Sequence, residues 1–164
     1  MRFPSILVGL FLGVGLSVVT SRFEEVLARN VHLTFFIPFV VYMADAVGTQ
    51  TQAIYTRDLK TTRANFHRYL IKEAILGIII GAIVSAAAAV FTFIWFGSAD
   101  LTKAVSFAMF MAIASAPIVA LLVTQLLQIE RTDPAVGAGP IATVIQDAIS
   151  VVIFGLIASA IILP

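Results

Sequence analysis

The sequence predicts an all-α membrane protein with five transmembrane helices per subunit, on three observations. Hydrophobic residues make up 60% of the 164, and the mean hydropathy is +1.06, whereas soluble domains stay near about 45–50% apolar. Only 12% of residues are charged. Several windows of about 20 residues carry no charge, which is the length that crosses roughly 30 Å of hydrocarbon. The chain is expected to form one multi-pass domain over residues 1–164, in the inner or plasma membrane of a prokaryote. It contains no cysteine, so disulfides, thiol chemistry and thiolate metal sites are excluded. A net charge of +1 gives no electrostatic ground for a nucleic-acid partner; membrane lipid is the expected surrounding.

The first span is expected over residues 4–21, PSILVGLFLGVGLSVVTS, with no clear small-residue cleavage site after it. Gly9 and Gly13 stand at the four-residue spacing that lets helices approach closely in lipid. The second span, over 33–56, holds Pro38 and Asp45. The polar connection RDLKTTRANFHRYLIKE follows. Its basic residues suit the cytoplasmic side of a short loop, and could also bind anionic headgroups or nucleotide. The third span, over 70–96, carries Gly77 and Gly81, then the small run Ser85 to Ala89, and closes on Trp95 and Phe96, residues that favour the interface. The fourth is expected over 104–128 and the fifth over 138–163. Thr132-Asp133-Pro134 reads as a helix start before it, with Asp133 as cap.

Lys and Arg favour the cytoplasmic side of short loops. With the N-terminus cytoplasmic, seven basic residues lie inside (Arg2, Arg57, Lys60, Arg63, Arg68, Lys72, Arg131) and three outside (Arg22, Arg29, Lys103). Five spans then put the C-terminus outside.

Most charges fall at span ends, but Asp45 and Asp147 lie inside apolar segments. A carboxylate at the bilayer centre costs about 2.5–3.5 kcal/mol on insertion scales and usually faces the bundle interior or a water-filled path. Asp45, Thr49, Gln52 and Thr56 are spaced to share one helical face, as are Thr143, Asp147 and Ser150, with Gln146 alongside. Each of these spans also carries a proline seven residues before its aspartate, Pro38 and Pro140, and Gly137 and Gly139 narrow the entry to the fifth. Irregular backbone at membrane depth is tolerated where it lines a cavity or is buried in protein. Carboxylate, hydroxyl, amide and carbonyl oxygens suit Mg²⁺, Ca²⁺ or Mn²⁺; Mg²⁺ keeps most of its water and needs few protein ligands. The histidines, His32 and His67, sit at span edges. The plainer alternative makes Asp147 a structural residue hydrogen-bonded to a neighbouring helix.

These residues resemble the transmembrane domain of the MgtE family of magnesium channels and transporters. The fragments that carry the resemblance are Arg2-Phe3-Pro4, Phe23-Glu24, Ile37-Pro38, Gly48-Thr49-Gln50 with Arg57 after it, and Lys72-Glu73. The strongest is Asp133-Pro134-Ala135, Gly139-Pro140, Thr143 and Asp147 in order. The resemblance implies a homodimer with a pore on its two-fold axis, lined by the second and fifth spans, and Mg²⁺ as the transported ion. It implies that Asp147 is the pore aspartate holding the hydrated ion, with the backbone carbonyl of Thr143 at the same site. Thr49, Gln52, Gln146, Ser150, Gly139 and Pro140 then line the pore. Where the family has Gly-Gly-Asn before Ala-Gly-Thr-Gln, this chain has Ala44-Asp45-Ala46 before Val47. A dimer would thus present four carboxylates where two are expected, giving tighter divalent binding or a changed ion preference. Only Met1-Arg2-Phe3 precedes the first span, so the family's acidic N-terminal and CBS domains are expected to be missing, in a natural minimal version or a trimmed longer protein. Closure by that route is not expected, and no cytosolic regulatory partner is identified.

Two rivals stay open: an H⁺- or Na⁺-coupled carrier using Asp45, and a non-conducting partner subunit. An intramembrane aspartyl protease is disfavoured, because Val144-Ile145-Gln146 replaces the Gly-x-Gly that should precede the second aspartate. No serine–histidine pair or Gly-rich phosphate loop suggests another enzyme.

Overall fold

The computed structural model describes the backbone of residues 3–61, 65–129 and 134–163, with side chains except those of 3–6, 8, 61, 127, 129 and 134–141. Among the described residues it holds six helices and no strand: α1 (Phe3–Ser21), α2 (Glu24–Arg29), α3 (His32–Thr61), α4 (Phe66–Phe96), α5 (Ala99–Ile129) and α6 (Pro134–Ile162). Helices α3 to α6 have 29 to 31 residues each, about 45 Å at 1.5 Å per residue. That exceeds the hydrocarbon thickness, so their polar ends reach beyond it. Four helices in the described residues are long and apolar enough to cross a membrane, in α3, α4, α5 and α6; α1 contributes a shorter apolar stretch, Gly9–Ser21.

The helices extend past the expected apolar limits because the polar connection favours helix at both ends. α3 continues to Thr61, and α4 starts at Phe66, where the Asn65 side chain accepts from the Arg68 N–H at 3.3 Å. α4 stops at Gly97, whose φ of 64° is the left-handed conformation that glycine adopts without Cβ strain.

α5 is the hub, packing on α4, α3 and α6. Its Ala104, Ala108, Ala112 and Ala116 are fully buried, and small residues at this spacing let three neighbours come close. On α4, a Cβ at Gly77 would stand 3.0 Å from both the Ala114 carbonyl oxygen and Pro117 Cγ, and one at Gly81 would stand 3.1 Å from the Phe110 carbonyl oxygen. The expected glycine face of α4 is therefore a near-backbone contact with α5. The opposite face exposes Ile75, Ile79, Ile83 and Phe93. Gly9 and Gly13 have nothing within 4 Å of an added Cβ, so among the described residues the close contact expected of them is not made.

The short α2 was not expected from hydropathy. Glu24 and Glu25 in its first turn and Arg29 in its last complement the helix dipole, and buried Val26 anchors it. Phe23, just before it, lays its ring over Gly155 of α6. The start of α3 meets the end of α4 through Phe36 and His32, whose rings lie 5.5 Å and 4.8 Å from that of Phe96.

Candidate functional site

Asp45 is the fourteenth residue of the 30 in α3 and Asp147 the fourteenth of the 29 in α6, so both lie near mid-helix. α3 and α6 pack against each other and both rest on α5. Between them lies a cavity of about 10 Å³, lined by Asp45, Gly48, Thr49 and Gln52 of α3, Thr143, Gln146 and Ala142 of α6, and Ala120 of α5. This is about the room of one water molecule. Asp45, Thr49 and Gln52 of the α3 stripe thus meet Thr143 of the α6 stripe, with Gln146 alongside.

Individual residues divide as follows. Asp45 and Asp147 are half-buried and Thr49 is exposed. Asp147 does not line the small cavity. Gln146 is buried and turns its Nε2 to Ser150 Oγ at 3.3 Å, while its Oε1 has no hydrogen-bond partner. Ser150 is fully buried and donates to the Gln146 backbone carbonyl at 2.9 Å. Its hydroxyl is therefore engaged within α6 and does not line the cavity. Thr56 is likewise absent from the lining. Gly139, Pro140 and Asp133, the last expected as a helix cap, lie outside the residues whose side chains are described.

The donor set around the cavity is oxygen-rich: one carboxylate, two hydroxyls and two side-chain amides. Among the described residues no group of three or more His, Asp or Glu side chains could hold a bare metal ion. A hard cation that keeps its water fits these donors, because an unpartnered amide oxygen such as Gln146 Oε1 can accept from a bound water.

A family model described as "MgtE: Divalent cation transporter" matches residues 37–157. The chain belongs to the MgtE family. Two curated relatives bear the name "Magnesium transporter MgtE". That of Bacillus subtilis (strain 168) is 32% identical over 162 residues, 97% of this chain. That of Enterococcus faecalis (strain ATCC 700802 / V583) is 30% identical over 161 residues, 96% of this chain. The chain spans 36% of the length of each of these relatives. The family match and the four apolar spans together make this a multi-pass membrane protein, and the family's activity is transport, not enzymatic catalysis. Asp45, the cavity and Asp147 all fall inside the matched MgtE segment.

One group escaped the sequence reading. Glu73 stands near a span end by hydropathy, yet it is 4% exposed and accepts a hydrogen bond from Thr51 Oγ1 at 2.9 Å. The missing signal was the true start of α4, which puts Glu73 in its second turn. Tyr55 Oη, one turn beyond Thr51, donates to Gln125 Oε1 of α5 at 2.6 Å.

Proposed function

We propose that two copies of this chain conduct a hydrated divalent cation, with Mg²⁺ the expected ion, along a path bordered by α3 and α6 of each copy. The observation that carries the reading is the meeting of Asp45, Thr49 and Gln52 with Thr143 and Gln146 at mid-helix, with Asp147 half-exposed on the next turn of α6. Size supports a shared path. A Mg²⁺ with its octahedral shell needs room for about six waters, and the cavity within one copy, about 10 Å³, has room for about one. An ion therefore cannot pass through a single copy at this point. The partly exposed carboxylates, which lipid would penalise, suit a water-filled space shared with a second copy.

In this reading α1 is the first of five spans, the N-terminus is cytoplasmic and the C-terminus lies outside. Asp147 attracts the hydrated ion, the Thr143 carbonyl shares its waters, and Thr49, Gln52, Gln146 and Asp45 border the path. The relatives' printed name, magnesium transporter, supports Mg²⁺ as the cargo.

The test is Mg²⁺ entry into proteoliposomes holding an internal Mg²⁺-sensitive dye, for the native chain, Asp147→Ala and Asp45→Ala, with and without a proton gradient. Gradient-independent entry that vanishes in Asp147→Ala is expected. Equal entry in native and Asp147→Ala would reject the assignment, and entry that requires the gradient would replace the channel with a coupled carrier.

A further inference from the structure

Glu73 is a carboxylate buried in an apolar helix, and the conduction reading gives it no part. It borders a second cavity, of about 130 Å³, with Gln50, Thr51 and Ile54 of α3, Lys72 of α4 and Pro117 of α5. Lys72 Nζ stands 3.6 Å from Glu73 Oε1. That ammonium offsets the carboxylate's charge and disfavours a cation as the cavity's occupant. The other carboxylate oxygen, Oε2, takes the Thr51 hydroxyl.

The two partners differ in how they are held. α4 is docked on α5 through Gly77, one turn from Glu73, at near-backbone distance. α3 packs on α5 and α6 but touches α4 only sparsely. Glu73 is thus a fixed anchor, and the Thr51 hydrogen bond ties α3 to it. Thr51 lies two residues beyond Thr49, so at about 100° per residue it points some 200° away. A bond that fixes the Thr51 side of α3 therefore aims Thr49 on the other side. Tyr55, on the same side as Thr51, is tied to Gln125 and supplies a second hold, so losing the Thr51 bond should turn α3 without releasing it.

We infer that Glu73 is a positioning residue: through Thr51 it sets the rotation of α3, and so the direction in which Asp45, Thr49 and Gln52 face. This rests on the conduction reading for its functional meaning, but the rotation can be measured without transport. The chain has no cysteine, so a single introduced thiol is an unambiguous reporter. Thr49→Cys is placed in the full chain in proteoliposomes and its rate of alkylation by a water-soluble maleimide is followed, alone and combined with Thr51→Val, Thr51→Ser or Glu73→Gln. Thr124→Cys, at a fully buried position on α5, reports general loosening.

Thr51→Val should change the Thr49→Cys rate about tenfold, the scale of one hydrogen bond to a charged group, and leave Thr124→Cys unreactive. Thr51→Ser restores the hydroxyl and should restore the rate; Glu73→Gln keeps an acceptor and should give a smaller change than Thr51→Val. In Mg²⁺ entry, Thr51→Val should raise the half-saturating concentration several-fold. An unchanged Thr49→Cys rate in Thr51→Val overturns the inference. So does Thr124→Cys becoming reactive in parallel, or Thr51→Ser behaving like Thr51→Val. If the native chain moves no Mg²⁺, the conduction reading fails while the alkylation result still decides the positioning role.

Discussion

Replacing Gly155 by alanine tests the packing that holds α1 and α2 to the bundle. A Cβ at Gly155 would stand 2.4 Å from Phe23 Cδ2 and Cγ and 2.5 Å from Cδ1. Carbon atoms meet at about 3.5–4.0 Å, so the ring has to retreat by more than about 1 Å. The clashing atoms belong to the base of the ring, so a small swing of its far edge cannot relieve them. Phe23 sits between α1 and α2, and its ring packs against the buried core, so retreat pulls that connection away from α6. Overpacking of this kind costs about 1–3 kcal/mol. The upper half of that range, about 2–3 kcal/mol, is expected, because backbone has to move; it corresponds to roughly 30- to 150-fold in the unfolding equilibrium. The assay is an SDS titration of the detergent-solubilised protein, for native, Gly155→Ala, Phe23→Ala and the double variant. In the Phe23→Ala background the glycine substitution should be nearly neutral, so the coupling between the two sites should be close to the whole penalty. Native-like stability of Gly155→Ala, or the same penalty with and without the ring, would refute the reasoning.

Three further outcomes are expected. Gly77→Ala brings a methyl to 3.0 Å from the Ala114 carbonyl oxygen and Pro117 Cγ, and should lower stability by about 1–2 kcal/mol in the same titration. Gly48→Ala meets its nearest atom at 3.5 Å and should fall within about 0.5 kcal/mol of native. Asp45→Asn removes a charge beside the α3–α6 cavity; with a water layer kept between ion and carboxylate, the half-saturating Mg²⁺ concentration in the dye assay should rise roughly tenfold, with the fold intact by circular dichroism.

Hydropathy alone located the long helices, because spanning segments must be apolar over their full length. It placed their ends short wherever charged residues continued the helix, as from Arg57 to Thr61 and from Phe66 to Tyr69. Periodicity grouped Asp45, Thr49 and Gln52 on one face of α3, since residues three and four apart share a helical face, and these three border the cavity while Thr56 does not. It could not tell that Ser150 bonds back to Gln146, because a serine in a helix can satisfy itself on the preceding turn as easily as it can face a partner. α2 was invisible for another reason: six residues are too few to register in a window sized for a membrane span. The pairing of Thr51 with Glu73, like that of Tyr55 with Gln125, depends on which helices neighbour each other, and local spacing carries no such information.

The arrangement also accounts for why the polar residues lie on α3 and α6. α4 and α5 meet at glycines so closely that neither Gly77 nor Gly81 has ordinary room for even a methyl; a contact of this kind cannot open by small steps without losing the packing that drives association in lipid. α3 and α6 lean on α5 through alanines and leave about one water's room between their polar faces. A hydrated ion needs a wall that presents oxygen without collapsing onto it, and a frame that stays fixed while ion and water pass. Those demands conflict on a single helix pair, because tight apolar packing leaves no place for oxygen donors, whereas a polar face without support would seek partners in its own bundle. Dividing them between a glycine-locked pair and a polar pair that share α5 meets both. The Thr51–Glu73 bond is one tie between the two pairs and Tyr55–Gln125 another; under the positioning role inferred for Glu73, the facing of the polar wall is set from the rigid side.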